Sequence, residues 1–201
     1  KKQVERLYGK ELAVFPPPGL SCDDSYFART VPLDVQPGRL YVGYLAPMLD
    51  RRHCLAPLAA ALHVAPEAVF REGEEDRDDL LEAWWTQVFY HGSLKDVGNT
   101  HNVFNIGIRD AVKRFKEEFN QTASETSSGE AIKLDDLIKR PAARIAQLTS
   151  RSNAEENSQT FSRLEQTRDN SDCLDAVLAT NMVSVGLDVA RLALMVINGQ
   201  P

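Results

Sequence analysis

The sequence DAVLATNMVSVGLDVARLALMVINGQP (Asp175–Pro201) decides the fold class of this chain. It holds two short runs that are almost continuously apolar, and strands are predicted there near 175–179 and 192–197, joined by a connection that begins with Thr-Asn. Runs of this kind are typical of strands in a parallel sheet that is covered by helices on both faces. Polar groups are costly inside such strands, so we expect the Thr-Asn pair to lie at an edge of the sheet.

Two earlier segments repeat this pattern. Strands are predicted near 85–90 and 144–149, and a helix with Ser152 or Asn153 as its N-cap follows the second strand. This alternation predicts an α/β fold with a mainly parallel sheet flanked by helices. Ligands of such sheets bind beyond the carboxyl ends of the strands, so the polar residues that follow the strands are expected along one edge. They are Ser93, Thr149, Ser150, Arg151, Thr180 and Asn181.

The rest of the chain is less regular. Three consecutive prolines at 16–18 favour an extended path. Residues 38–47 alternate as a strand does, and an apolar helix that follows them is predicted to break near Pro66. Apolar residues at helical spacing predict a helix over 106–120, and the polar stretch 120–132 predicts a flexible insertion.

Composition excludes several classes of protein. The 201 residues are 43% hydrophobic and 26% charged, as is usual for a globular domain, and no apolar run is long enough to span a bilayer. We therefore expect no membrane partner. The net charge of −6 is unusual for a free-standing nucleic-acid binder but leaves room for a local basic strip. Three scattered cysteines suggest neither a zinc site nor a disulfide framework, and they fit the reducing cytoplasm.

The residues at the expected edge favour binding over catalysis. No nucleophile elbow, zinc-protease motif or phosphate-binding loop occurs, so no catalytic or metal-ligating residue is predicted in this chain. Hydroxyls, amides and one arginine are groups that hold phosphates and sugars. Gly186 permits close approach of a ligand, and Asp188 is a possible acceptor for ribose hydroxyls. From the residues alone, a plain turn explains Gly186 and Asp188 equally well.

The connection also resembles a known motif. ATNMVSVGLDV (Ala179–Val189) is similar to motif V of superfamily 2 helicases, which lies in the second RecA-like lobe, and above all to that of DrmA-type helicases of the bacterial DISARM anti-phage system. Further stretches occur in the order that this family has. They are LYGKELAVFPPPGL (Leu7–Leu20), PGRLYVGYLAP (Pro37–Pro47), WTQVFYHGSLKDVG (Trp85–Gly98) and LTSR (Leu148–Arg151). The resemblance covers most of the chain apart from roughly 100–140.

The resemblance implies a fold and a function. The fold would be an incomplete second lobe of the P-loop NTPase type, 37–201, preceded by an extended Pro-rich connector between lobes, 1–36. The function would be that of an ATP-dependent helicase or translocase with a role in phage defence. Its partners would be nucleic acid, with DNA favoured, and the first RecA-like lobe of the same longer protein.

The resemblance also implies roles for single residues. Thr180, helped by Asn181, would contact a nucleic-acid phosphate, while Gly186 and Asp188 would reach the nucleotide. Arg151 would grip the nucleic-acid backbone together with Thr149 and Ser150, and Ser93 would lie on the same track. These contacts involve phosphates, so no base specificity is expected.

The family's other motifs are missing from this chain. They are the Walker A lysine, the Asp-Glu-x-His box, the Ser-Ala-Thr motif and the motif VI arginines. The chain is therefore expected to be an internal piece of a motor, with the Mg²⁺ ligands elsewhere, and to hydrolyse no ATP alone.

Two alternatives remain open at the level of sequence. The first is a non-catalytic nucleic-acid-binding module, which the net charge of −6 disfavours. The second is an unrelated doubly wound nucleotide-binding enzyme, which the lack of a Gly-x-Gly-x-x-G turn disfavours.

Overall fold

A computed structural model describes residues 2–13, 28–36, 38–70, 75–126, 144–181 and 189–199. The chain divides into two compact units, 1–45 and 46–201. In the first unit the described residues form helix α1, Lys2–Tyr8, followed by irregular backbone. The division of the chain at 36/37 stays a prediction, and the three prolines lie outside the described residues.

The second unit contains all the strands that the structure describes. In chain order its elements are α2 (Arg51–Val69), α3 (Arg77–Trp85), β1 (Gln87–His91), α4 (Leu94–Ile106), α5 (Ile108–Thr126), β2 (Ile145–Leu148), α6 (Ala154–Leu164), β3 (Ala176–Ala179) and β4 (Leu194–Asn198). No helix among the described residues is long and apolar enough to cross a membrane.

The four strands form one parallel sheet in the order β2-β3-β1-β4. Val88 lies opposite Val177 of β3 and Met195 of β4, and Ala146 of β2 also lies opposite Val177. The predicted α/β fold with a parallel sheet is therefore confirmed, and it is consistent with a RecA-like lobe. Because all strands point the same way, their carboxyl ends meet at one edge of the sheet.

Helices cover both faces of the sheet. On one face Phe89 and Leu178 pack with residues of α2, α4 and α5, and Phe89 meets Phe104 edge-on with ring centroids 5.0 Å apart. On the other face Val88 and Val177 pack with Leu164 of α6 and with the chain that leads into β4. These two cores bury β1 and β3 on both sides, which explains why β3 consists of apolar residues alone and why Gln87 and His91 of β1 are buried.

Strand β4 is less buried than its sequence predicts. Leu194 and Val196 are half-buried rather than buried, and Met195 is 50% exposed. Among the described residues β4 pairs with β1 alone and so lies at the side of the sheet, where one flank and part of one face meet solvent. The prediction of burial was right for Val177 and Leu178, which lie in β3 between two strands.

The amino ends of the strands are tied together by ion pairs. Arg144, just before β2, donates its backbone N–H to Asp175 Oδ2 at 2.7 Å and its Nε to the same oxygen at 3.2 Å. Arg191, just before β4, donates Nε to Glu82 Oε1 at 2.6 Å and a terminal nitrogen to Thr86 Oγ1 at 2.7 Å. This polar network fixes the amino edge of the sheet.

Helix α2 does not break near Pro66. It runs from Arg51 to Val69 with Pro57 and Pro66 inside, and Phe70 N–H donates to Pro66 O at 3.0 Å, which continues the helical pattern. A proline inside a helix costs about 3 kcal/mol. Burial of apolar residues of α2 such as Val64 outweighs this local cost.

Two further local predictions need correction. Residues 38–47 form no strand, and Leu40 and Tyr41 are at least 80% exposed, because alternation alone supplies no partner strand among the described residues. Helix α5 extends to Thr126, so the first part of the insertion predicted at 120–132 is helical. No glycine or proline interrupts the chain there before Gly129. Residues 127–132 lie outside the described residues.

Candidate nucleic-acid interface

The structure brings the predicted edge residues that it describes to the carboxyl ends of three adjacent strands. Ser93 follows β1, the segment Thr149–Arg151 follows β2, and Thr180–Asn181 follows β3. Ser93, Ser150, Arg151 and Asn181 are exposed. The shared edge agrees with the sequence prediction, while the contacts of these residues with nucleic acid stay a prediction.

Two threonines of this set are buried. Thr149 is 1% exposed and Thr180 is 6% exposed, so the prediction that Thr180 is largely accessible was wrong. Leu148 lies opposite Ala179, and Thr180 N–H donates to Leu148 O at 3.4 Å, which extends the ladder one residue beyond β3. A residue that continues an interior strand is covered by its neighbours, and Thr180 therefore lies beneath the surface that Asn181 presents.

The turn between β2 and α6 holds Arg151 outward. Thr149 Oγ1 accepts a bond from Arg151 N–H at 3.3 Å. Asn153 then caps α6: its Oδ1 accepts from Glu156 N–H at 2.8 Å, and Glu156 Oε2 accepts from Asn153 N–H at 3.1 Å. This reciprocal capping fixes the first turn of the helix and confirms an N-cap at Ser152 or Asn153. Arg151 is thus an exposed cation on a well-defined turn.

The turn between β1 and α4 is built around Ser93. Its Oγ accepts from Asp96 N–H at 3.2 Å and lies 2.8 Å from Asp96 Oδ2, to which it donates. The serine therefore caps the helix while it remains exposed at the edge. A capping serine leaves its second lone pair for a further donor, but its proton is already engaged by Asp96.

Charges of both signs lie along this edge. Helices α4 and α6 both begin here, and the positive ends of their dipoles favour anions. Asp96, Glu155 and Glu156 occupy the first turns and oppose this attraction, whereas Arg151 and Lys95 support it. A mixed edge of this kind suits a few phosphate contacts rather than tight binding to a long stretch of backbone.

Lys95 is a candidate that sequence reasoning missed. It is exposed in the first turn of α4, two residues after Ser93. The helix dipole disfavours a cation at that position, so a lysine there costs helix stability. That local conflict, directly after a buried strand, is the signal that could have identified it.

A cleft of about 390 Å³ opens beside Ser93. It lies among the start of α2, one side of α4 and the end of β4. Its lining residues are Asp50, Leu55, Ser93, Lys95, Asp96, Asn99, Thr100, Val103 and Asn198. Asn198 lies opposite His91 in the sheet register, so the cleft begins where the carboxyl edge of β4 ends.

Gly186 and Asp188 lie outside the described residues, and their predicted contacts with a nucleotide stay a prediction. The described residues contain no group of three or more histidine, cysteine, aspartate or glutamate side chains that could hold a metal ion. The described edge presents hydroxyls, amides, carboxylates and two cations.

Comparison with known proteins supports the resemblance found in the sequence. No protein-family model matches this chain. It is, however, 32% identical over 200 residues, or 99% of its length, to the DISARM protein DrmA of Bacillus paralicheniformis. The chain resembles a DrmA protein from end to end. It spans 16% of the length of that relative. The predicted similarity to DrmA proteins is confirmed.

Proposed function

We propose that this chain is part of the second motor lobe of an ATP-dependent nucleic-acid helicase or translocase that serves in bacterial phage defence. One observation carries the proposal: in a chain similar to a DISARM protein, Ser93, Arg151 and Asn181 are exposed together at the carboxyl edge of a parallel sheet. That edge is where sheets of this class bind their ligands.

Arg151 is the main contact with nucleic acid in this proposal. Its guanidinium is exposed beside the start of α6, where it can pair with a phosphate through two parallel hydrogen bonds. Lys95 adds a second positive charge near the start of α4. Asn181 and Ser150 offer neutral groups between the two helices. Such contacts fix the position of a strand without selecting its sequence.

Buried Thr180 has a different role from the one first expected. Its N–H holds the end of β3 to β2, so it positions Asn181 at the surface instead of presenting its own hydroxyl. Thr149 does the same for Arg151, because its Oγ1 accepts a hydrogen bond from the Arg151 N–H. The two threonines therefore fix the backbone positions of Asn181 and Arg151, and with them the place where a bound nucleic-acid strand would lie.

A nucleotide site on the same connection of the chain is part of this proposal. Gly186 and Asp188 occupy the connection that begins with Thr180 and Asn181, so a nucleotide held there would be linked to the nucleic-acid contacts by a few residues of chain. ATP with Mg²⁺ supplies the phosphoryl group whose hydrolysis would drive movement. Ligands for Mg²⁺ are expected outside this chain.

The salt dependence of binding tests the proposal. In the full-length protein that carries this chain, Arg151→Ala should weaken binding to DNA and to RNA of any sequence. It should also reduce the slope of log affinity against log salt by about 1, since one phosphate contact is lost. Lys113→Ala is the control, because Lys113 lies on α5 with its side chain 76% exposed. Equal effects of the two substitutions would contradict an interface at the carboxyl edge.

A further inference from the structure

We propose that the cleft beside Ser93 binds an unstacked nucleobase that carries an exocyclic amino group, namely cytosine, adenine or guanine. This inference rests on the proposed function and adds a base contact to it. The juxtaposition that carries it is an amide-lined cleft directly adjoining the residues that would hold the nucleic-acid backbone.

The position of the cleft connects it with the backbone contacts. Ser93 and Lys95 belong both to its lining and to the exposed carboxyl edge. A nucleotide whose phosphate lay against Lys95 would have its base within reach of the cleft. The volume of about 390 Å³ lies within the range of small-molecule sites.

The lining combines apolar and polar groups in the way that a flat, polar-edged ligand requires. The apolar part of the lining comes from Val103, which is half-buried, and from Leu55, which is 3% exposed. Asn99 and Asn198 are half-buried, and their amide groups can pair with the edge of a base. A base taken out of its stack exposes the same two kinds of surface, a flat face and a hydrogen-bonding edge.

The charges in the cleft disfavour an anion. Asp50 and Asp96 present carboxylates, which repel a phosphate or another anion from the interior. Lys95 in the same lining offsets one of these two negative charges, so an organic cation gains less there than it would from the carboxylates alone. A neutral ligand with amino donors is not repelled and can donate to the carboxylates, because an ionised carboxylate only accepts hydrogen bonds.

The carboxylates also distinguish bases that carry an exocyclic amino group from thymine and uracil, which do not. Asp50 Oδ1 accepts from His53 N–H at 2.9 Å, and Asp96 Oδ2 accepts from Ser93 Oγ at 2.8 Å, so both carboxylates are held in place by neighbours. Carboxylate acceptors favour the amino group of cytosine. Thymine and uracil present a carbonyl oxygen at the equivalent position and would face these acceptors without a donor.

Binding of two pyrimidine homopolymers tests the inference. Oligo(dC) and oligo(dT) of about 12 nucleotides are titrated into the full-length protein at fixed salt and mildly alkaline pH. The wild type should bind oligo(dC) about tenfold more tightly than oligo(dT). Asp50→Asn and Asp96→Asn should each bring this ratio towards one, because the amide that replaces the carboxylate can also donate to the carbonyl oxygen of thymine. Asp110→Asn is the matched control, because Asp110 is exposed on α5 and does not line the cleft, and it should keep the ratio.

Each outcome decides between the two claims. Binding without preference for oligo(dC) would overturn the base contact and leave the proposed function standing. Loss of the preference in Asp110→Asn as much as in Asp96→Asn would also overturn it. Failure of the wild type to bind either oligonucleotide would overturn both the base contact and the proposed function.

Discussion

Replacement of Asp175 by alanine is expected to loosen the sheet where β2 meets β3. The Asp175 side chain is fully buried and accepts three bonds from Arg144, at 2.7 Å, 3.2 Å and 3.5 Å. Removal of one partner of a buried ion pair costs about 3–5 kcal/mol. The Arg144 side chain is 27% exposed and would keep its hydrogen bond to the carbonyl oxygen of Ser171, at 2.6 Å. We therefore expect a cost at the lower end of this range, about 3 kcal/mol.

Hydrogen exchange of the full-length protein, followed by mass spectrometry, measures this cost locally. A loss of about 3 kcal/mol corresponds to roughly 100-fold faster exchange of the amides of β2 and β3. Asp175→Asn keeps an acceptor for Arg144 N–H and should cost less, about 1–2 kcal/mol. Asp172→Ala is the control, because Asp172 is exposed and contacts Asn170 and Arg163 through its backbone N–H and carbonyl oxygen. Unchanged amide hydrogen exchange in Asp175→Ala would refute the conclusion that this ion pair stabilises the contact between β2 and β3.

Three more predictions concern single groups and the isolated chain. Burial raises the pKa of the Cys173 thiol above its usual 9.0, against the opposing effect of Arg191, so Cys173 should be alkylated more slowly at neutral pH than half-buried Cys54. Equal alkylation rates of the two thiols, measured by peptide mapping, would contradict this. The stability that the neutral Cys173 thiol contributes should be complete below pH 9.0 and lost as the pH rises through the folded-state pKa. Ser93→Ala should destabilise α4 by about 1 kcal/mol, because the helix loses its N-cap. Faster amide hydrogen exchange confined to the first turns of α4 would show this loss. The isolated 201-residue chain should release no phosphate from ATP, and Mg²⁺-dependent turnover that Asp188→Ala abolished would contradict this.

The fold could be predicted from sequence where strands are buried on both faces. The apolar runs around Val88 and Val177 have no helical or alternating period, and parallel strands between helices are what such runs form. Prediction failed where tertiary packing overrode local preference. Helix α2 runs through Pro66 because its apolar residues pack on three other helices, and residues 38–47 alternate but have no partner strand among the described residues.

The candidate site could be predicted in outline only. The strand–polar pattern placed Ser93, Arg151 and Asn181 at one edge, since parallel strands end together. The burial of Thr180 could not be derived, because it depends on how far the ladder with β2 extends beyond the last apolar residue. The cleft was also beyond sequence reasoning. It brings together α2, α4 and β4, which are far apart in the chain.

The most direct test of the central claim is ATP hydrolysis by the full-length protein in the presence of nucleic acid. Nucleic acid should stimulate turnover, and the Arg151→Ala variant should require roughly fivefold or more nucleic acid for half-maximal stimulation, in line with the loss of one charged contact. Lys113→Ala should behave as the wild type does. Turnover that nucleic acid leaves unchanged, or an Arg151→Ala variant with wild-type stimulation, would contradict the assignment of the carboxyl edge as the nucleic-acid interface of a motor.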